Sequence, residues 1–247
     1  MHQTTPMVKE VVGRMHHDLR GRLERTRRGP HAARSARIGA CALVVVLATV
    51  STLSACSSGE SASTSTTTEP KEFSGYVQSP PRQVAEVTLP AVDGAPVEMV
   101  AEPGGLRIVY FGYTFCPDVC PTTMSFLKAA LGELPEEDRQ RVQVDVVTVD
   151  PTRDTGEKLH TYVTTFVPDA TAIRTEDPTA LRSAADAFGA NYEVTTGVDG
   201  QVEVSHSGDL FVVDDTGTVI LAWPFGTTPK AIERDLRRLL EGQRPTA

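Results

Sequence analysis

Cysteine is scarce in this sequence, with only four in 247 residues. Two disulfides would use all four, but the positions of the cysteines argue against that pairing. Cys41 lies inside an apolar N-terminal stretch and Cys56 lies at its end. Only Cys116 and Cys120 belong to the part of the chain that is expected to fold. The sequence therefore argues against a fold built on a disulfide framework.

Histidine is almost as scarce, and most of it lies near the N-terminus. Four of the six histidines fall within the first 31 residues. The rest of the chain keeps only His160 and His206. His160 follows Leu159 on a predicted helix, where we expect a surface or half-buried side chain. His206 is left as the one histidine available to act together with the two cysteines.

A membrane-spanning hydrophobic run is also missing. Ile38 to Leu53 is apolar over 16 residues, which is short for a span and typical of a secretory signal. The stretch follows an arginine-rich segment and ends in Leu53-Ser54-Ala55-Cys56, which resembles a bacterial lipobox. Residues 1–55 are therefore predicted to be a lipoprotein signal peptide, with lipid attached to Cys56. An uncleaved anchor is the alternative, and both place the rest of the chain at the outer face of the cytoplasmic membrane.

Positive charge is in the minority after the leader. Residues 1–55 contain 9 Lys and Arg against 3 Asp and Glu, whereas residues 56–247 contain 15 against 29. This acidic balance argues against nucleic acid as a partner. Residues 56–72 are rich in Ser and Thr without apolar periodicity, so they are predicted to form a disordered tether. Residues 73–247 are long enough to fold as one domain with its own core.

Strands and helices alternate through this domain before two adjacent strands and a last helix close it. Strands are predicted at 84–89, 106–111, 142–149, near 172–173, 209–213 and 218–223, helices at 121–131, 156–166, 178–188 and 229–240, and an inserted hairpin at 194–204 with its turn at Asp199-Gly200. This order indicates an α/β fold whose mixed central sheet is flanked by helices. A cysteine pair between a strand and a helix then suggests a thioredoxin-like plan.

The two X-Pro steps of Cys116-Pro117 and Cys120-Pro121 set the expected geometry of the cysteines. A residue before proline avoids the α-helical region, so neither cysteine is expected inside a helix. Proline is favoured at the first helical position, which makes Pro121 the predicted helix start and Cys120 its N-cap. The unpaired N–H groups and the helix dipole there favour a thiolate. We therefore expect two activated sulfurs.

The spacing of the pair leaves redox and metal chemistry open. Redox proteins of this fold usually separate their cysteines by two residues, whereas three intervene here. A disulfide remains feasible but would close too small a loop to stabilise the fold much. Two thiolates with the His206 imidazole would instead form a soft set that suits Cu(I). Zinc is a competitor, although a tetrahedral site needs a fourth ligand that is not evident.

Three ordered motifs carry a resemblance to a known family. Phe115-Cys116-Pro117-Asp118-Val119-Cys120-Pro121 resembles the copper-site signature of the SCO/SenC family of cytochrome c oxidase assembly proteins. The segments Val149 to Thr155 and Val204 to Ser207 resemble that family's D-P-x-R-D-T and V-D-H-S segments. The resemblance implies copper, as Cu(I) with Cu(II) also open, bound by Cys116, Cys120 and His206. It also implies a metallochaperone that matures the dinuclear copper centre of cytochrome c oxidase, with the copper-centre subunit as partner.

The family pattern is not matched everywhere. Ser205 stands where an aspartate usually precedes the histidine, and Tyr113-Thr114-Phe115 varies the common F-T-H approach to the first cysteine. Neither departure touches the three implied ligands. Asp150 ends the strand next to the one that leads into the cysteines, so it is a candidate for orienting a ligand or a proton. A plain strand-to-turn junction explains Asp150 equally well.

Two other functions use the same thiols. Cys116 and Cys120 would serve as the redox pair of a thiol–disulfide reductase that keeps the copper-ligand cysteines of an oxidase reduced. His206 separates this reading from the metallochaperone, because it is needed for metal but not for exchange. A lipid-tethered peroxidase fits less well, because the approach to Cys116 lacks the polar pattern that such an enzyme needs.

Overall fold

The structure is a computed structural model that describes residues 72–246. The predicted signal peptide, Cys56 and the tether up to residue 71 lie outside the described residues. Signal cleavage, lipidation and disorder of the tether therefore stay predictions. Within residues 72–246, no helix is both long and apolar enough to cross a membrane.

Fifteen elements follow one another along the described part of the chain. The strands are β1 (Arg82–Gln83), β2 (Thr88–Pro90), β3 (Pro96–Glu98), β4 (Leu106–Gly112), β5 (Val142–Thr148), β6 (Thr171–Ile173), β7 (Tyr192–Thr196), β8 (Val202–His206), β9 (Leu210–Val213) and β10 (Thr218–Trp223). The helices are α1 (Val119–Gly132), α2 (Glu136–Arg139), α3 (Gly156–Phe166), α4 (Pro178–Phe188) and α5 (Pro229–Leu240).

Six of the strands form one central sheet, in the order β1-β10-β9-β4-β5-β6. Strand β4 runs parallel to β5, and β5 runs parallel to β6. On its other side β4 pairs antiparallel with β9, which pairs antiparallel with β10. The predicted mixed sheet is confirmed. Two small two-stranded sheets, β2-β3 and β7-β8, stand apart from it, and β7-β8 is the predicted inserted hairpin.

Strand β4 lies at the centre of the sheet and is buried along its whole length. Because successive side chains of a strand point to opposite faces, alternate residues of β4 pack against helices on opposite faces of the sheet. Phe111 packs edge-to-face against Phe188 of α4, with ring centroids 5.4 Å apart. Tyr110 points the other way, towards Cys120 and Thr123 of α1. Helices therefore cover both faces, and the end of β4 leads straight into the cysteine loop.

Helices α3, α4 and α5 begin and end at the predicted residues because their start signals are local. The Thr155 hydroxyl accepts a hydrogen bond from Lys158 N at 3.3 Å at the start of α3. Asp177 and Thr228 cap α4 and α5 in the same way, and each is followed by proline at the first helical positions. Side-chain caps of this kind satisfy backbone N–H groups that a helix leaves unpaired.

The predicted strand at 84–89 is confirmed only at Thr88 and Leu89, which belong to β2, and is wrong for 84–87, where the chain turns. The backbone N–H of Val87 donates to the carbonyl of Val84 at 2.9 Å, which closes a turn between β1 and β2. The alternating pattern reflects the burial of Val84 at the start of that turn and of Leu89 in β2. Both residues enter the core while the chain passes from the edge of the central sheet to the β2-β3 sheet. Helix α2 is a short element that the sequence pattern did not predict.

Candidate metal centre

The two cysteines lie where β4 passes into α1. Cys116 lies in the connecting loop and is half-buried, whereas Cys120 lies in the first turn of α1 and is fully buried. Both thiols are free. The Cys116 sulfur accepts a hydrogen bond from the backbone N–H of Cys120 at 3.3 Å. The first N–H groups of a helix have no partner within it, so the helix start provides Cys116 with its donor.

The predicted helix start at Pro121 is wrong by two residues. Helix α1 begins at Val119 with Asp118 at its N-cap, so Cys120 lies inside the helix. Pro121 is tolerated there because residues of the first turn have no N–H bond to lose. As a consequence, Cys120 is the second residue of α1 and not its N-cap.

His206 comes to this junction from the hairpin. It is the last residue of β8, two residues beyond the predicted end of the hairpin, and it pairs in register with Tyr192 of β7. Its Nδ1 lies 2.9 Å from the carbonyl oxygen of Ser207. A carbonyl only accepts, so Nδ1 carries the ring proton and Nε2 keeps its lone pair. That Nε2 lies 3.3 Å from the Cys120 sulfur.

Two tyrosines hold the imidazole in place. Tyr110 and Tyr113 contact the His206 ring edge-to-face, with centroids 6.0 and 5.7 Å away. Burial lowers the pKa of His206, which favours the neutral ring that metal ions bind. The imidazole is therefore both positioned and in the protonation state of a ligand.

The two sulfurs and the ring form one compact group of donors. The ligand atoms of Cys116, Cys120 and His206 all lie within 4.8 Å of one another. Across residues 72–246, no other group of three or more Cys, His, Asp or Glu is placed to hold a metal ion. Thiolate and imidazole bonds to an ion such as zinc are about 2.3 and 2.0 Å long, so a modest contraction would bring all three onto one ion. The donors fit a soft ion such as Cu(I).

The two sulfurs differ in acidity, contrary to the expectation of two activated thiols. Partial burial opposes ionisation of Cys116, but hydrogen bonds from the backbone of Cys120 and Asp118 outweigh it and lower its pKa. Burial raises the pKa of Cys120 to about 12. Desolvation thus exceeds the effect of the helix start for Cys120. The site has one activated sulfur and one that stays protonated without metal.

The family model described as SCO1/SenC matches residues 78–241. The chain belongs to the SCO1/SenC family. The match runs from before β1 into the residue after α5, so it includes the cysteine junction and the hairpin that carries His206. The family resemblance read from the three sequence motifs is thereby confirmed.

Relatives and solved structures agree with the SCO1/SenC assignment. A putative copper-binding protein of Stutzerimonas stutzeri is 35% identical over 141 residues, which cover 56% of this chain and 69% of the relative. The apo Sco1 protein of Thermus thermophilus superposes with a TM-score of 0.56 at 33% identity, covering 68% of this chain and 93% of that one. Copper-bound ScoI of Bradyrhizobium japonicum superposes with a TM-score of 0.54 at 25% identity, covering 64% and 96%. The thioredoxin-like fold is therefore confirmed.

Asp150 lies beside this SCO1/SenC site and is linked to it through Arg153. Its buried carboxylate pairs with the Arg153 guanidinium. That guanidinium in turn lies 5.9 Å from the Tyr113 ring centroid and 5.0 Å from that of Phe115. Asp150 is not among the three grouped donors. Its role in orienting a ligand stays a prediction, and the contact that would transmit it runs through Arg153.

Asp154 is the residue that fixes the loop before Cys116. Its fully buried carboxylate accepts hydrogen bonds from the Thr114 backbone at 3.0 Å, the Thr114 hydroxyl at 2.5 Å and the Thr148 hydroxyl at 2.6 Å. These bonds join the end of β4 to the end of β5. A negatively charged acceptor forms strong hydrogen bonds, so Asp154 determines where the loop that carries Cys116 lies.

Sequence reasoning missed the two tyrosines as parts of the site. Tyr110 was read only as a strand residue and Tyr113 only as a departure from the family pattern. Burial, together with the nearby Cys116 sulfur, raises the pKa of Tyr113 to about 12. For Tyr110 the signal available in the sequence was its position. Tyr110 and Gly112 are two residues apart in β4, so they point to the same face of the sheet, and α1 covers that face.

Proposed function

We propose that this protein is an extracytoplasmic metallochaperone that carries copper to the dinuclear copper centre of cytochrome c oxidase. Copper, its cargo, would be held by Cys116, Cys120 and His206. Lipid on Cys56 would keep the domain at the outer face of the cytoplasmic membrane. The copper-centre subunit of the oxidase would be the recipient.

The observation that supports this proposal is the convergence of three soft donors with no fourth. The His206 Nε2 lone pair faces the Cys120 sulfur at 3.3 Å, and Cys116 lies within the same group. Within the described residues, no other Cys, His, Asp or Glu joins that group. Four protein ligands are typical of permanent structural sites. A three-donor site leaves room for an incoming ligand of the recipient.

The unequal sulfurs suggest an order of events. The half-buried Cys116 has the lowered pKa and provides the first thiolate for an incoming ion. The neutral His206 ring is already oriented. The buried Cys120 binds last and must lose its proton as it does so, because a thiol binds metal as a thiolate. On release to the recipient, the half-buried Cys116 would be exchanged before the buried Cys120.

The surface beside the site suits contact with another protein. Phe115 precedes Cys116 and is 48% exposed, although large apolar side chains are usually buried. Two cations lie over its ring, Arg153 at 5.0 Å and Lys158 at 4.9 Å from the centroid. Phe225 is exposed to a similar extent, and its side chain and that of Val119 both approach Gly208, two residues after His206. Exposed aromatic and cationic groups of this kind are common at protein interfaces.

A Cu(I) competition titration tests the proposal. The full-length reduced protein, carrying Cys41→Ser and Cys56→Ser so that leader thiols do not contribute, is titrated against a chromogenic Cu(I) chelator. We expect one Cu(I) per chain. Cys116→Ser, Cys120→Ser and His206→Ala should each weaken binding more than about 100-fold, because loss of an outer-shell partner alone costs up to that much.

His160→Ala is the matched control. His160 is exposed on α3 and is the other histidine of the folded region, so its replacement should leave the affinity unchanged. Stoichiometric tight binding that survives all three ligand changes would refute the proposed site.

A thiol–disulfide reductase is the second candidate, and the unequal thiols favour it. The Cys116 thiolate would attack one sulfur of a partner disulfide, forming a mixed disulfide and releasing the first partner thiolate. Cys120 would then lose its proton and attack the Cys116 sulfur, which releases the second partner thiolate. The partner gains two electrons and the Cys116–Cys120 pair becomes a disulfide. An accessible low-pKa thiol with a buried second thiol is the arrangement that such exchange needs.

His206→Ala distinguishes the two functions. A metallochaperone loses both copper affinity and oxidase maturation with this change. A reductase keeps its thiol–disulfide exchange rate and its contribution to oxidase assembly, while Cys116→Ser or Cys120→Ser abolishes both. Oxidase assembly that is normal with His206→Ala and absent with either cysteine variant would replace the first proposal by the second.

A further inference from the structure

Three buried hydroxyl groups near the cysteine pair have no hydrogen-bond partner. Five buried side-chain polar atoms of residues 72–246 lack one, and three of these are the hydroxyls of Tyr110, Thr123 and Tyr162. A buried hydroxyl without a partner costs free energy, so such atoms are rare in folded proteins. Their concentration at one place calls for an acceptor that the metal-free site does not provide.

Tyr110 lies directly against the Cys120 sulfur. Both groups border Gly112: a β-carbon added there would lie 3.1 Å from Tyr110 Cδ1 and 3.4 Å from Cys120 Sγ. Tyr110 is 1% exposed, and its hydroxyl lies near both Cys120 and Thr123 without the geometry of a hydrogen bond to either. Thr123 follows Cys120 by three residues on α1, which places both on one face of the helix. The two hydroxyls and the sulfur therefore form one buried cluster.

The sulfur is the group whose hydrogen-bonding capacity changes when metal binds. A thiol is a weak acceptor, which leaves the neighbouring hydroxyls unpaired. A metal-bound thiolate keeps lone pairs and negative charge, and hydrogen bonds to charged acceptors are about twice as strong as neutral ones. A phenol hydroxyl donates across the physiological range because it ionises only near pH 10. Tyr110 thus has a donor that gains its acceptor only in the metal-bound state.

We propose that Tyr110 is a positioning residue of the copper site, whose hydroxyl donates a hydrogen bond to the Cys120 sulfur when copper is bound. The Thr123 hydroxyl donates in turn to the Tyr110 oxygen. This inference rests on the proposed copper function. The hydroxyls are then unpaired in the metal-free state and hydrogen-bonded in the copper-bound state, so the buried cluster favours copper binding.

Tyr110→Phe tests the inference, because it removes the hydroxyl and keeps the ring. The measurements use the full-length protein in the Cys41→Ser, Cys56→Ser background. We expect the Cu(I) affinity to fall about 10- to 100-fold, as for other outer-shell partners. In the Cu(II)-loaded protein, the sulfur-to-copper charge-transfer band should move to lower energy, since an unpaired thiolate is the better electron donor. The melting temperature of the metal-free protein should not fall, because the lost hydroxyl had no partner there.

Tyr76→Phe is the control. Tyr76 is 43% exposed, so loss of its hydroxyl should change neither copper affinity nor the charge-transfer band. Should Tyr110→Phe fail to fold, Thr123→Val carries the same test, with a smaller loss of affinity and a smaller band shift in the same direction.

Three results would overturn the inference. An unchanged affinity and band in a copper-binding Tyr110→Phe protein would overturn the inference and leave the proposed function standing. A lower melting temperature of the metal-free protein with no band shift would assign Tyr110 a structural role only. A wild-type protein that binds no copper would overturn the proposed function as well, so the two failures are distinguishable.

Discussion

Replacing Asp154 by asparagine tests how the loop that carries Cys116 is held. The wild-type carboxylate accepts three hydrogen bonds, two from Thr114 and one from Thr148, in a fully buried position. Asparagine keeps one acceptor oxygen and places an amide donor opposite hydroxyls that already donate. Hydrogen bonds to a charged group contribute about 1.5–3 kcal/mol each, and neutral ones about 0.5–1.5. We therefore expect Asp154→Asn to lower the free energy of unfolding by about 2–4 kcal/mol.

Urea unfolding of the reduced, metal-free protein measures this change, with thermal melting as a second observable. A domain of this size loses about 2–4 °C per kcal/mol, so the melting temperature should fall by about 4–16 °C. Asp169→Asn is the matched control: its partner is Arg139, but its side chain is 65% exposed, so we expect less than about 1 kcal/mol. A loss for Asp154→Asn no larger than that of the control would refute the reasoning that the buried carboxylate holds the loop.

Two further predictions concern the sulfurs. Mass-resolved alkylation from about pH 6 to about pH 10 should modify Cys116 first, with a midpoint below the value of about 8.5 for a free thiol, because its pKa is lowered. Cys120 should stay unmodified throughout because its pKa is raised to about 12. Equal alkylation rates for the two cysteines would contradict both pKa shifts. Gly112→Ala should lower the free energy of unfolding by about 1–3 kcal/mol, because the new β-carbon would lie 2.6 Å from Tyr110 Cε1. The displaced ring should also lower the Cu(I) affinity. Unchanged chelator titrations and urea curves would show that the Tyr110 ring moves aside without cost.

The sequence predicted those parts of the fold whose signals are local. Helices α3, α4 and α5 have the expected bounds because a capping side chain and an apolar stripe lie within each segment. The approach of His206 to the cysteines was predicted for a different reason, the scarcity of histidine in the folded region. The buried strand β4 and the hairpin turn at Gly200, which has a φ of +80°, were also readable from residue pattern alone.

The remaining features depend on neighbours that are distant in sequence. The burial that raises the pKa of Cys120 comes from the core packed around α1, whereas the sequence showed only a helix start. The turn after Val84 forms because Gly217 of another hairpin accepts its backbone N–H at 2.8 Å. The unpaired hydroxyl of Tyr110 is likewise invisible in a strand pattern. Tertiary contacts decide these features, and periodicity carries no information about them.

The separation between the donors along the chain bears on the order in which the protein would fold and bind copper. Cys116 and Cys120 are only four residues apart in the sequence, but His206 lies 86 residues beyond Cys120. Closing so long a loop costs entropy that only the paired sheet and the docked hairpin repay. In an unfolded chain only the Cys116 and Cys120 thiols of this site are close together, and the third donor arrives only with the native topology. Since copper would then bind the folded state more tightly than the unfolded one, loading would also protect the domain against unfolding.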